Sequence, residues 1–172
     1  MASLVENLIE VLEQECEEYT GLLALSQAKT PIIVSGNLEE LQKITDDEQT
    51  LVSRLNNLDK QRRDVTLDIA NVLNRDVEQV KLSNLIEMLA SRPGEQGKLI
   101  AVHDRLQELV RQLQRTNEQN RELLANALEM VEFEMSILQA TKAAPETANY
   151  TKGAYNSGLQ MGVSSRGFDA KQ

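Results

Sequence analysis

Residues 99–138 read LIAVHDRLQELVRQLQRTNEQNRELLANALEMVEFEMSIL, and this stretch decides the fold. Its early apolar residues lie three and four positions apart: Leu99, Val102, Leu106, Leu109 and Leu113. Side chains at that spacing form one seam along an α-helix, which is typical of helices that pack against each other. Thr116 and Asn120 continue the seam with polar residues before Leu123 resumes it. We therefore predict one long amphipathic helix here.

The end of this stretch is apolar on more sides than a single seam requires. A helix with such excess apolar surface has to bury it against something. We predict that a partner protein covers it and that the contacts come from seven residues: Leu124, Leu128, Met130, Val131, Phe133, Met135 and Leu138. The alternative is that the first helix and a short helix over residues 83–90 cover this surface entirely.

Two more long helices are predicted upstream. The first covers residues 3–29 and ends at a kink or break before Pro31, which lacks the amide hydrogen that a helix needs. The second covers residues 37–74, where Glu48 and Arg62 interrupt an otherwise apolar seam. Charged seam residues fix the register of packed helices if they are paired. Alternatively, their stems pack while their charged heads reach solvent.

Residues 75–92 connect the second helix to the third and contain the short helix over 83–90. Because the link between the first two helices is short, these helices should run antiparallel. The predicted fold is all-α: an elongated antiparallel bundle of three long helices plus one short helix, in a domain over residues 1–140. A parallel homodimer could use the same seams, since periodicity does not say which chain supplies the partner helix.

Residues 141–172 differ in composition from the bundle. They contain four of the eight glycines and three of the five aromatic residues, including Tyr150 and Tyr155. Such a glycine-rich segment without hydrophobic periodicity is typical of a flexible C-terminal tail. Its aromatic side chains are candidate anchors for a partner. The alternative is a tail that serves only solubility.

The charge distribution argues against several classes of partner. The net charge is −9, and the tail carries +2, which leaves −11 on the rest of the chain. A body this acidic repels nucleic acid and anionic membranes. Membrane insertion is not expected either, because no apolar run approaches the roughly 20 residues that span a bilayer. The acidic start is unlike a signal peptide, so a cytoplasmic protein is predicted.

No constellation for catalysis or cofactor binding is recognisable. Cys16 lies among apolar residues and is expected to be an ordinary core residue. His103, the single histidine, lies just off the seam and is expected to be solvated or to cap a helix. Neither a metal site nor a phosphate-binding glycine loop has the required spacing. We therefore predict that the protein is not an enzyme and holds no cofactor or metal.

The chain resembles the FlgN family of flagellar export chaperones over about residues 4–140. The resemblance is carried by the order and spacing of short motifs: Leu8, Leu12, Glu15, Tyr19, Leu22 and Leu23; then Gly36-Asn37-Leu38-Glu39 within 33–41; then Glu48 with Leu51; then Arg62-Arg63. Each motif is generic for helical proteins. Together with the acidic body and the glycine-rich tail, they make the resemblance.

The resemblance implies a cytoplasmic chaperone that binds the C-terminal helical segments of flagellar hook-associated (hook–filament junction) proteins. Such a chaperone prevents premature assembly and delivers its clients to the type III export apparatus without using nucleotide itself. It also implies client binding on the late part of the long helix. Tyr150 and Tyr155 are then candidate contacts with the export gate. A structural coiled-coil adaptor that tethers other proteins is the alternative function.

Overall fold

The structure is a computed structural model and describes residues 2–143. It contains four α-helices: α1 (Ala2–Ser35), α2 (Leu38–Leu73), α3 (Leu82–Met88) and α4 (Pro93–Ala143). Short 3-10 turns at Val77–Gln79 and Leu89–Ser91 flank α3, and no strand occurs within 2–143. The predicted all-α class with three long helices and one short helix is confirmed. Most of the predicted tail lies outside the described residues.

The chain divides into two units, Met1–Met130 and Val131–Gln172. All contacts between helices described below lie within the first unit. The described part of the second unit, residues 131–143, is helical.

The three long helices of the first unit alternate in direction. Lys29 of α1 pairs with Glu48 of α2 at 2.7 Å, whereas Glu15, earlier in α1, pairs with the later Arg62 at 3.3 Å. These two helices are therefore antiparallel. Between α1 and α4, by contrast, a later residue of one helix contacts a later residue of the other: Cys16 contacts Val102, and Thr30 contacts Asn120. Thus α4 is parallel to α1, and the long helices form the predicted antiparallel bundle.

A tight turn between α1 and α2 sets their antiparallel arrangement. Gly36 has a φ of 69°, a left-handed conformation that side chains disfavour. The side chain of Asn37 then accepts a hydrogen bond from the Glu40 backbone N–H at 3.2 Å, which caps α2. The observed bounds of α2 agree with the sequence prediction.

The predicted end of the first helix near residue 29 is wrong, because α1 continues through Pro31 to Ser35 without a break. Pro31 has no N–H, so it cannot donate the helical hydrogen bond to the carbonyl of Gln27, four residues earlier. Both Pro31 and Gln27 are exposed. Water can therefore reach that carbonyl. Tertiary contacts on the opposite side hold the last turn: Ile33 is buried, and the Thr30 hydroxyl donates to the Asn120 side chain at 2.6 Å.

The apolar core has two clusters along the bundle. In the first, the connector between α2 and α4 packs with all three long helices, and the buried members are Val5, Leu8, Ile9, Leu12, Cys16, Ile69, Ala70, Val80, Leu85, Leu89, Leu99 and Val102. The second contains Leu22, Leu23, Leu55 and Leu113, with Tyr19, Leu51 and Leu109 partly buried beside them. Among the described residues, its members come from α1, α2 and α4 alone. The connector therefore completes the packing in one half of the bundle only.

Both charged residues of the α2 seam are paired. Glu48 and Lys29 are largely buried together, with side chains that are 17% and 16% exposed. Arg62 contacts Glu15 of α1 and also Asp59 on its own helix. Ion pairs between α1 and α2 agree with the interpretation that these residues fix helix register.

Candidate functional site

The second unit displays large apolar side chains on two sides of α4. Val131, Met135 and Leu138 recur four and three positions apart, so they lie on one face of the helix. Phe133 and Ile137 lie on the opposite face. The members of both sets are between 48% and 64% exposed. Four of the seven predicted partner-binding residues therefore present apolar surface to solvent.

The other three predicted residues belong to the first unit. Leu128 and Met130 are 63% and 66% exposed, whereas Leu124 is half-buried. Contiguous exposed apolar patches mark interaction surfaces, whereas single exposed apolar side chains are common on any protein. The role of all seven in binding a partner stays a prediction. Tyr150 and Tyr155 lie outside the described residues.

A groove lies between α2 and α4 in the first unit, and we call it the α2–α4 groove. Its volume is about 550 Å³. Glu48 and Val52 line it from α2, and Leu22 and Lys29 line it from α1. The α4 wall consists of Asn117, Asn120, Arg121, Leu124, Ala125 and Leu128. Leu124 and Leu128 line this groove. Two of the predicted partner-binding residues thus share a concave site with residues outside the predicted set, including Val52 and Arg121.

Polar side chains between α1 and α4 order one side of the groove. Buried Asn120 donates to the backbone carbonyl of Ser26 at 2.7 Å and accepts from the Thr30 hydroxyl at 2.6 Å. The Ser26 hydroxyl in turn donates to the Asn117 side chain at 2.6 Å. Because buried polar groups are costly unless they are hydrogen-bonded, this network specifies how α4 meets α1. The spacing places Asn120 on the seam as a polar residue, but its partners lie on α1 and cannot be inferred from the spacing.

The charges of the groove differ from those of the whole chain. The basic residues in its lining are Lys29 and Arg121, and its acidic residue is Glu48. Lys29 and Glu48 neutralise each other at 2.7 Å. Arg121 is mostly exposed, and its nearest acidic neighbour is Glu118 at 3.8 Å. The lining residues alone therefore sum to one positive charge, that of Arg121, and Glu118 outside the lining offsets part of it.

Reactive or metal-binding groups are not assembled in the described residues. Burial raises the pKa of the Cys16 thiol, and its Sγ lies 3.8 Å from the Val102 carbonyl oxygen, so Cys16 is a core residue as predicted. His103 is half-buried with its Nδ1 3.1 Å from Asp104. Over 2–143, no group of three or more His, Cys, Asp or Glu residues has the geometry to hold a metal ion. None of the described helices combines the length and apolar character that crossing a membrane requires.

The family model described as FlgN protein matches residues 1–157, which is most of the chain. The match confirms the resemblance derived from the motifs, and it extends beyond α4 to include the positions of Tyr150 and Tyr155. No significant match is found among curated proteins or among solved structures.

Proposed function

This chain belongs to the FlgN family of flagellar export chaperones, and we propose that its clients are the flagellar hook-associated proteins. FlgN is a chaperone family and not an enzyme family. In the proposed function, the protein acts in the cytoplasm and binds the C-terminal helical segment of an unassembled client. It thereby prevents premature assembly and delivers the client to the type III export apparatus.

The apolar surface of α4 is the observation that supports this proposal. Val131, Met135 and Leu138 offer an apolar stripe to an amphipathic helix, and Leu128 offers a further exposed contact in the first unit. Burying each large apolar side chain contributes about 1.5–3 kcal/mol before the entropic costs of binding are subtracted. Flexible Met side chains adapt to irregular partners, which suits a chaperone with more than one client.

Masking is the mechanism by which this contact would act. The client segment buries its apolar side against α4 instead of against the other subunits with which it assembles. It therefore stays monomeric until release at the export apparatus. As the family resemblance implies, the chaperone itself uses no nucleotide in this mechanism.

A binding assay with a charged substitution tests this function. We expect Val131→Asp to abolish measurable binding of a purified hook-associated protein, since a carboxylate in an apolar contact has no partner there. Ser136→Asp introduces the same charge at an exposed polar position of the same segment and should retain binding. Circular dichroism should show equal helix content in both variants.

The outcomes separate chaperone from adaptor. Wild-type affinity in Val131→Asp would contradict the proposed site. Light scattering should show a larger complex only when a hook-associated protein is added. A stable homodimer that captures no hook-associated protein would instead support a coiled-coil adaptor.

A further inference from the structure

The packing of the first unit is incomplete at the α2–α4 groove. Around the first core cluster, the connector packs as a fourth element against the three long helices. The second cluster has contributions from three helices only among the described residues. The groove opens beside this second cluster, since Leu22 belongs to both. Its volume of about 550 Å³ lies within the range of protein sites that bind ligands.

Apolar side chains on opposite walls of the groove are exposed. Val52 of α2 is 42% exposed, and it faces the same groove as Leu128 of α4. Both lie outside the two core clusters, so neither is needed to complete the packing of the three helices. An element that inserted between them would bury both side chains.

Charge and shape together define what fits this groove. A helix that packs between two others presents an apolar stripe three and four residues apart. The Arg121 guanidinium is mostly exposed and its pair with Glu118 is long at 3.8 Å, so it can also bind a carboxylate on the flank of that helix. A basic segment would face this arginine and is disfavoured.

We propose that the α2–α4 groove receives one amphipathic helix of the client, with its apolar stripe on Val52 and Leu128 and an acidic side chain beside Arg121. This inference rests on the proposed function, because it takes the occupant to be the client. It adds α2 and α1 to a contact otherwise assigned to α4 alone. Client recognition then depends on the folded bundle and not only on one helix.

Matched substitutions on α2 test the inference. Val52→Asp should weaken binding of the fluorescently labelled C-terminal segment of a hook-associated protein by about ten-fold or more, as expected for a charge inside an apolar contact. Leu67→Asp makes a comparable change on the same helix at a residue that is 45% exposed and outside the groove lining, and should bind as the wild type does. Arg121→Glu should also weaken binding, and more strongly at low than at high salt.

Photocrosslinking identifies the occupant directly. A benzophenone side chain at position 52 should join the full-length protein to the labelled client segment, whereas one at position 67 should not. If the wild type binds the client while Val52→Asp binds equally well, the groove inference is overturned and the proposed function stands. If the wild type binds no client, the proposed function itself fails. Crosslinks from position 52 to a second copy of this chain would overturn the inference by assigning the groove to self-association.

Discussion

Glu15 of α1 is a buried carboxylate. Its ion pair with Arg62 of α2 offsets only part of the cost of burying the charge. Its side chain is 4% exposed, and Oε1 lacks a hydrogen-bond partner although it lies 3.3 Å from Arg62 Nε. Burial raises the pKa of Glu15 more than the nearby Arg62 lowers it, and the charge of Asp59 raises it further. Arg62 is shared, because it also bonds to Asp59 at 2.5 Å and holds the pKa of that carboxyl below its ordinary value. The folded protein therefore disfavours the charged form of Glu15.

Replacing this carboxylate tests the balance as a function of pH. The folded state retains the Glu15 proton to higher pH than the unfolded chain, so stability falls as the pH rises from the ordinary value of 4.5 through the raised pKa. We expect Glu15→Gln to increase the free energy of unfolding at pH 7, with the gain disappearing as the pH falls below about 4.5. Urea unfolding at several pH values measures this difference.

An exposed glutamate on the same helix supplies the control for Glu15. Glu10→Gln removes the same charge from α1 without relieving a buried carboxylate, and it should leave the free energy of unfolding nearly unchanged. A loss of stability in Glu15→Gln at pH 7 would show that the attraction to Arg62 outweighs the cost of burial.

At the scale of the helix, Pro31 tests how much of α1 is held by tertiary contacts. Proline removes one helical hydrogen bond and costs about 3 kcal/mol in a helix interior. We therefore expect Pro31→Ala to stabilise the protein. The net gain in the free energy of unfolding is smaller than the cost of the proline by about 1 kcal/mol, because alanine gives the unfolded chain more conformational freedom. The thermal unfolding midpoint measures the change.

Pro93 provides the matched control because it is the first residue of α4. A proline at that position loses no helical hydrogen bond, since the first amide groups of a helix have no partner within it. Pro93→Ala should leave the midpoint unchanged or lower it slightly. Equal effects of the two substitutions would show that the Pro31 ring imposes no cost on α1.

Hydrophobic spacing predicts the helices well, but helix ends depend on contacts that spacing does not contain. The bounds of α2 follow from local signals, because Gly36 and Asn37 form a turn and cap that the sequence itself specifies. The end of α1 does not, because Ile33 and Thr30 hold the last turn through contacts with distant residues. Local rules therefore placed a helix break where the tertiary structure continues the helix.

Only part of the candidate site could likewise be predicted from the sequence. The exposed residues of α4 were predictable because too many sides of one helix are apolar, which a single stretch of sequence reveals. The α2–α4 groove was not, since its walls come from helices that are far apart in sequence. One feature of the sequence does mark Val52. It is an apolar residue next to the seam residue Leu51, at a position where a helix with a single apolar seam would have a polar residue.

For the whole molecule, folding and delivery are expected to use different parts of the chain. The buried residues of the described structure extend no further than Asn120. The family match continues to residue 157 and so includes Tyr150 and Tyr155, the candidate contacts with the export gate. A chaperone that must release its client at the gate benefits from separate surfaces for the two partners, because both can then be engaged at once.

Truncation after Ala143 tests this separation. We expect the shortened protein to keep the thermal midpoint and client affinity of the full chain, because the core and the groove precede the truncation, but to support less export of hook-associated proteins. Tyr150→Ala with Tyr155→Ala should reproduce the export defect in the full chain. Phe168→Ala is the control, since this aromatic residue lies beyond the family match and should leave export unchanged. Secreted hook-associated protein in culture supernatants is the readout, and normal secretion by the truncated chain would show that the tyrosines have no part in delivery.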